Sequence, residues 1–73
     1  MRLRDKRERL ALNFLMERRG VTALDLAVAA TAGEEQRRSA NALFALGVKL
    51  GDHFIRRGFA RADKFNRYEW VPK

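Results

Sequence analysis

The apolar positions of this chain fall into three helical stretches followed by one alternating stretch. Between about Asp5 and Arg19, Leu10 and Phe14 stand four residues apart, as do Ala11 and Leu15, so each pair shares one side of a helix. Gly20 supplies a stop. Leu12 and Met16 fall off that stripe, which makes the first helix apolar on two sides. Either a partner subunit covers the second side, or neighbouring elements of the same domain wrap around it.

The second stretch opens at Val21-Thr22. Thr22 is a good N-cap, Asp25 stands three residues on in the place of a capping-box acid, and Val21 can staple the entry. The spacing predicts a helix from Ala23 to Thr31, small and alanine-rich, closed by Ala32-Gly33.

The third stretch, Glu34 to Arg57, is the longest. Ala40, Leu43/Phe44, Gly47, Leu50/Gly51 and Phe54/Ile55 form an amphipathic stripe. Glu34 and Glu35 stand where a helix dipole favours acids, Arg56 and Arg57 where it favours cations, and Gly58 is placed as the C-cap. Gly47 and Gly51 leave two arrangements open. They let another helix approach closely, or they mark a break between two shorter helices.

From Phe59 to Val71 the period changes to two. Ala60 and Ala62 alternate with Phe59, Arg61 and Asp63; Tyr68 and Trp70 alternate with Arg67, Glu69 and Val71. A polar turn around Lys64-Phe65-Asn66 separates the runs, which predicts a β-hairpin with Asn66 in the left-handed conformation. The small alanines are then set opposite the bulky Tyr68 and Trp70.

At 73 residues the chain makes one domain, residues 1–73, with a basic stretch 1–4 expected to fray. A domain of this size buries only about 60% of its unfolded surface. There is no cysteine, hence no disulfide and no thiolate metal ligand, and His53 is the only histidine. No phosphate loop, nucleophile elbow or metal-spaced histidine pair is present, so neither an enzyme, a metal site nor a cofactor is expected. No apolar run is long enough to span a bilayer, and with no signal-like segment a cytoplasmic protein is expected.

Charge adds the strongest compositional signal. Sixteen Lys and Arg against nine Asp and Glu give +7, and twelve of the cations are Arg. The charge is uneven: residues 1–20 carry a net +4, residues 21–55 a net −1 and residues 56–73 a net +4. A surface this basic points to nucleic acid, with phosphates gripped by the two ends of the chain and fewer contacts from the middle.

The succession of helix, short extended entry, helix, long helix and hairpin resembles a winged helix-turn-helix domain. The resemblance rests on Gly20-Val21-Thr22-Ala23-Leu24-Asp25-Leu26-Ala27 and on Arg56-Arg57-Gly58-Phe59-Ala60-Arg61 through Arg67-Tyr68-Glu69-Trp70-Val71-Pro72. It implies a mainly α fold with a C-terminal wing, whose third helix enters the major groove of double-stranded DNA. Carried over, it makes Arg37, Arg38, Asn41 and Lys49 the groove-facing residues, and Arg61, Lys64, Asn66 and Arg67 the wing contacts. The chain departs from the pattern in its long segment before Arg56, in Glu34 and Glu35 at the helix start, and in a wing tip without glycine. A second register takes Ala42 to Val48 as the helix and turn of a simpler helix-turn-helix.

Arg37, Arg38 and Asn41 suit guanine and adenine edges, or equally a solvated face paired with Glu34 and Glu35. Local salt bridges explain Arg61, Lys64 and Arg67 less well. Phe65 is expected to fold back onto the core more often than to act as a wedge, and His53 is expected at the surface or its boundary. The leading expectation is a DNA-binding transcriptional regulator or accessory factor that acts as a homodimer. A scaffold that binds an acidic protein, and an RNA- or ribosome-associated domain with Tyr68 and Trp70 stacking on bases, are the alternatives.

Overall fold

In the computed structural model, which describes residues 3–34 and 39–72, three helices precede a two-stranded antiparallel hairpin. Helix α1 spans Leu3–Glu17, α2 Ala23–Ala30 and α3 Ala40–Arg56; the strands are β1, Ala60–Ala62, and β2, Tyr68–Trp70. Helix α1 starts before Asp5, so it takes in part of the stretch expected to fray. It ends as the chain reaches Gly20, which turns with a positive φ of 67°.

Helix α2 begins with the expected capping box. The Thr22 hydroxyl accepts from the Asp25 amide, and the Asp25 carboxylate accepts from the Thr22 amide. Ala23, Leu26, Ala27 and Ala30 are buried, while Leu24 and Val28 look outward. Thr31 closes the helix and, although buried, is satisfied by donating its hydroxyl to the Ala27 carbonyl at 2.8 Å.

Helix α3 corrects the expected boundary. It begins at Ala40, with the Ser39 hydroxyl accepting from the Ala42 amide, and not at Glu34. Glu34 belongs to the connection from α2, where both its carboxylate oxygens accept from Arg7 of α1, at 2.7 and 3.0 Å. That bidentate pair holds the Arg7 guanidinium above its usual pKa, chiefly through the hydrogen bond. The expected use of Glu34 at the helix start is therefore replaced by a tie between α1 and the connection.

From Ala40 to Arg56 the helix is continuous, which removes both the break near Gly47–Gly51 and the register that placed a turn before Val48. The two glycines are contact points instead. A Cβ on Gly47 would sit 1.7 Å from the Ala23 carbonyl oxygen, so α2 lies against bare backbone there. A Cβ on Gly51 would meet the Tyr68 ring at 2.4 Å. The helix ends in a Schellman motif: the Gly58 amide bonds to the Ile55 carbonyl and the Phe59 amide to the Phe54 carbonyl, with Gly58 at a φ of 78°.

In the hairpin, Ala60 pairs with Trp70, Arg61 with Glu69 and Ala62 with Tyr68. Val21 bridges to the other edge of β2, exchanging both backbone hydrogen bonds with Tyr68 at 2.9 and 2.7 Å. This bridge fastens the hairpin to the start of α2. The core comprises Ala11 and Leu15 of α1, Leu26 and Ala30 of α2, Leu50 and Phe54 of α3, and Ala60 and Tyr68 of the hairpin. Leu12, on the second apolar side of α1, is half-buried against this core beside Phe54 and Phe59, so the domain's own elements wrap it. Met16 stays 52% exposed. Among the described residues, no helix is long and apolar enough to cross a membrane.

Candidate nucleic-acid interface

The hairpin turn is built around one carboxylate. Asp63 accepts from the Phe65 and Arg67 amides with the same oxygen, at 2.8 and 2.9 Å. The Asn66 amide bonds to the Asp63 carbonyl and the Asp63 amide to the Arg67 carbonyl. Asn66 takes the left-handed conformation expected of it, with a φ of 60°. Lys64-Phe65-Asn66 is thus a three-residue loop that ends in one left-handed residue. The Arg67 amide is the leading cause holding the Asp63 carboxyl below its usual pKa; the Phe65 amide and the charges of Arg67 and Lys64 act the same way.

All four wing residues expected from the sequence, Arg61, Lys64, Asn66 and Arg67, are exposed on this hairpin. The structure adds two more cations. The chain between α1 and α2 runs alongside β2, and the aliphatic stem of Arg67 lies over Gly20, where a Cβ would meet its Cδ at 3.4 Å. Arg18 and Arg19, just before Gly20, share a cleft of about 570 Å³ with Arg61, Trp70 and Met16. Both belong to the basic N-terminal third of the sequence. The pairing of Val21 with Tyr68, with α1 packed against β2, sets them beside residues more than forty positions later.

One expectation about these cations is corrected. Arg61 has a salt bridge, its Nε 3.1 Å from the cross-strand Glu69 carboxylate, because the register sets the two residues opposite each other. The Arg61 side chain is 74% exposed, so the pair contributes at most about 1 kcal/mol and leaves the guanidinium open to a competing phosphate. Arg18, Arg19, Lys64 and Arg67 have no carboxylate within ion-pair distance among the described residues. Arg18 instead lies over the Phe14 ring at 4.7 Å and Lys64 over the Phe65 ring at 5.0 Å.

The residues expected to read bases are not brought together in the same way. Arg37 and Arg38 lie outside the described residues. Asn41 is exposed on the first turn of α3. Lys49 is exposed eight residues later, about 12 Å further along the axis, on the side that faces Arg7 and Glu8 of α1. The outward face of α3 between and beyond them carries Phe44, 56% exposed, and Ile55. Leu24 and Val28 extend this apolar character onto α2.

Tyr68 and Trp70 lie on the core side of the hairpin, opposite Ala62 and Ala60 as expected, and Phe65 departs from expectation. Tyr68 is buried against Gly51, and burial followed by the nearby Asp52 charge pushes its hydroxyl above its usual pKa. Its ring is therefore closed to a stacked base. Trp70 is half-buried, stacked on Phe59 with ring centroids 6.0 Å apart. Phe65, expected to fold back, is 67% exposed, since the Asp63-held turn directs it away from the core. His53 sits at the boundary with its Nε2 3.7 Å from Glu8. Among the described residues no cluster of His, Asp and Glu is arranged to hold a metal ion. No protein-family model, curated protein or solved structure matches the chain.

Proposed function

We propose that this chain is a winged-helix module that binds double-stranded DNA, gripping phosphates with the hairpin and the end of α1. The observation that carries the reading is the convergence of Arg18, Arg19, Arg61 and Arg67, with Lys64 at the tip, on one edge of the domain. Among the described residues four carboxylates lie in that region, and three are already engaged: Asp63 holds backbone amides, Glu69 pairs across the strands with Arg61, and Asp25, beside Arg18 and Arg19, caps α2. The fourth, Glu17, lines the cleft with Arg18 and Arg19. The order of elements supports the reading, with Val21 added as a third strand position beside β2. We take its role to be that of a transcriptional regulator or accessory DNA-binding factor.

The test is a fluorescence-anisotropy titration of random duplex, single strand and RNA at several salt concentrations. Four or five phosphate contacts give a log–log salt slope of about −4 for the duplex. A curve flat from low to physiological salt sinks the reading. A second reading has its own support: the exposed apolar side chains Leu24 and Val28 of α2 and Phe44 and Ile55 of α3 suit a protein partner on the same scaffold. That reading gives a saturable protein complex that Phe44→Gln disrupts, with no salt-dependent binding of duplex.

A further inference from the structure

Among the described residues, Phe65 is the most exposed of the large apolar side chains, and it stands at the tip of the hairpin. An apolar ring in water costs solubility and gains no packing. Its position is nevertheless fixed by the backbone. The Phe65 amide is tied to Asp63 on one side, and on the other the Arg67 amide is tied to the same carboxylate oxygen. Asn66 between them holds a left-handed conformation that commits the turn. The ring is thus presented from a pre-organised loop, with little ordering left for a ligand to impose. Cations flank it. Lys64 lies over one face of the ring, and its long stem lets the ammonium swing to a phosphate while the ring enters an apolar space.

We infer that Phe65 is a wedge: it enters the minor groove and inserts between adjacent base pairs, so that the protein kinks the duplex it binds. This rests on the reading that the hairpin meets double-stranded DNA. The minor groove is too narrow for a two-stranded ribbon, so the side chain at the tip enters it alone, and inserted apolar side chains unstack one step and bend the duplex toward the major groove. Lys64 and Arg67 then neutralise the phosphates on either side of the opened step. A lipid surface is the less suitable partner, because a single ring without an acyl chain or a second apolar anchor gives little membrane affinity.

The experiment uses the full chain and a short duplex carrying a donor and an acceptor dye at its ends, with 2-aminopurine at a central TA step. Wild-type protein shortens the end-to-end distance and raises the 2-aminopurine emission as the step unstacks. At saturating protein, Phe65→Ala loses both signals, while Phe65→Leu retains much of the bend. A single central mismatch lowers the cost of unstacking, so it tightens wild-type binding roughly fivefold and leaves Phe65→Ala unchanged. Thermal melts and circular dichroism of the variants establish that the fold is kept. Binding without bending, or equal bending by Phe65→Ala, overturns the wedge and leaves duplex binding standing. No duplex binding overturns both. Phe65-dependent binding to anionic phosphatidylserine vesicles, with a straight duplex, assigns the ring to a lipid surface and overturns the wedge as well.

Discussion

The helix pair α2/α3 and the hairpin that follows it are held together by different means and turn different surfaces to solvent. In the helix pair, α2 and α3 approach so closely at Gly47 that no side chain fits between them. The pair carries two cations and two acids, Lys49 and Arg56 against Asp25 and Asp52, and its outward face is largely apolar. The hairpin has almost no core of its own. It is held by three strand pairs, the Val21 bridge, the Asp63 turn and one buried ring, Tyr68, lodged against Gly51. Its outward face, with the end of α1, is cationic. Rigidity therefore lies with the neutral helix pair and charge with the lightly packed hairpin. The proposed phosphate grip presents its charge on that rigid base, and Gly51–Tyr68 and Val21–Tyr68 are the joints between the two regions.

The largest effect that bears on this division is structural. Gly47→Ala places a methyl group inside the Ala23 carbonyl, where backbone has to move, and is expected to cost about 3 kcal/mol and to disturb both regions. Chemical denaturation measures it. A stability loss under about 1 kcal/mol would mean that the helix pair is not the rigid member.

Next in size is the hairpin's contribution to binding. Replacing Arg61, Lys64 and Arg67 together with Ala is expected to weaken duplex binding roughly a hundredfold and to lower the salt slope by about 3, for every sequence tested alike. Loss confined to one sequence would instead make these base-reading residues and move the phosphate grip elsewhere.

Asp63 makes the hairpin turn a target of acid. The folded-state pKa of Asp63 is depressed, so its contribution is present above the ordinary carboxylate value of 3.8 and is lost as pH falls below that through the folded value. In that window the amides of Phe65 and Arg67, followed by nuclear magnetic resonance, are expected to shift and lose protection while those of α3 hold. Asp63→Ala is expected to show the same loss of protection at neutral pH. Simultaneous loss in α3 would show that the two regions open together.

The smallest effect is expected on the apolar face. Phe44→Gln is expected to change stability by no more than about 0.5 kcal/mol and duplex affinity hardly at all, because the ring is exposed. Abolished duplex binding in this variant would transfer the interface from the hairpin to α3.

Much of the architecture was legible in the sequence because it depends on short-range chemistry. Thr22 and Asp25 mark a helix start by their spacing, Gly58 marks a helix end, and Asn66 marks the left-handed position of a turn. The alternation from Ala60 to Trp70 encodes a hairpin and its register. The beginning of α3 was not legible. Glu34 and Ser39 both suit a helix start, and the choice follows from Arg7, which takes Glu34 into an ion pair twenty-seven residues away. Phe65 was misread for a similar reason: its ring stays out because the turn aims it away, and hydrophobicity alone cannot report that direction.

By itself the sequence determined the succession of three helices and a hairpin, the caps that bound α2 and close α3, and a cationic chain with a neutral middle. These are properties of composition and of neighbours within about four residues, where hydrogen-bond geometry and side-chain period act directly. Tertiary structure decided the rest. It made Gly47 and Gly51 contact points within one unbroken helix, since a missing Cβ matters only when another element arrives. Through Val21 and Tyr68, it also joined Arg18 and Arg19 to Arg61 and Arg67, a basic edge drawn from the two ends of the chain.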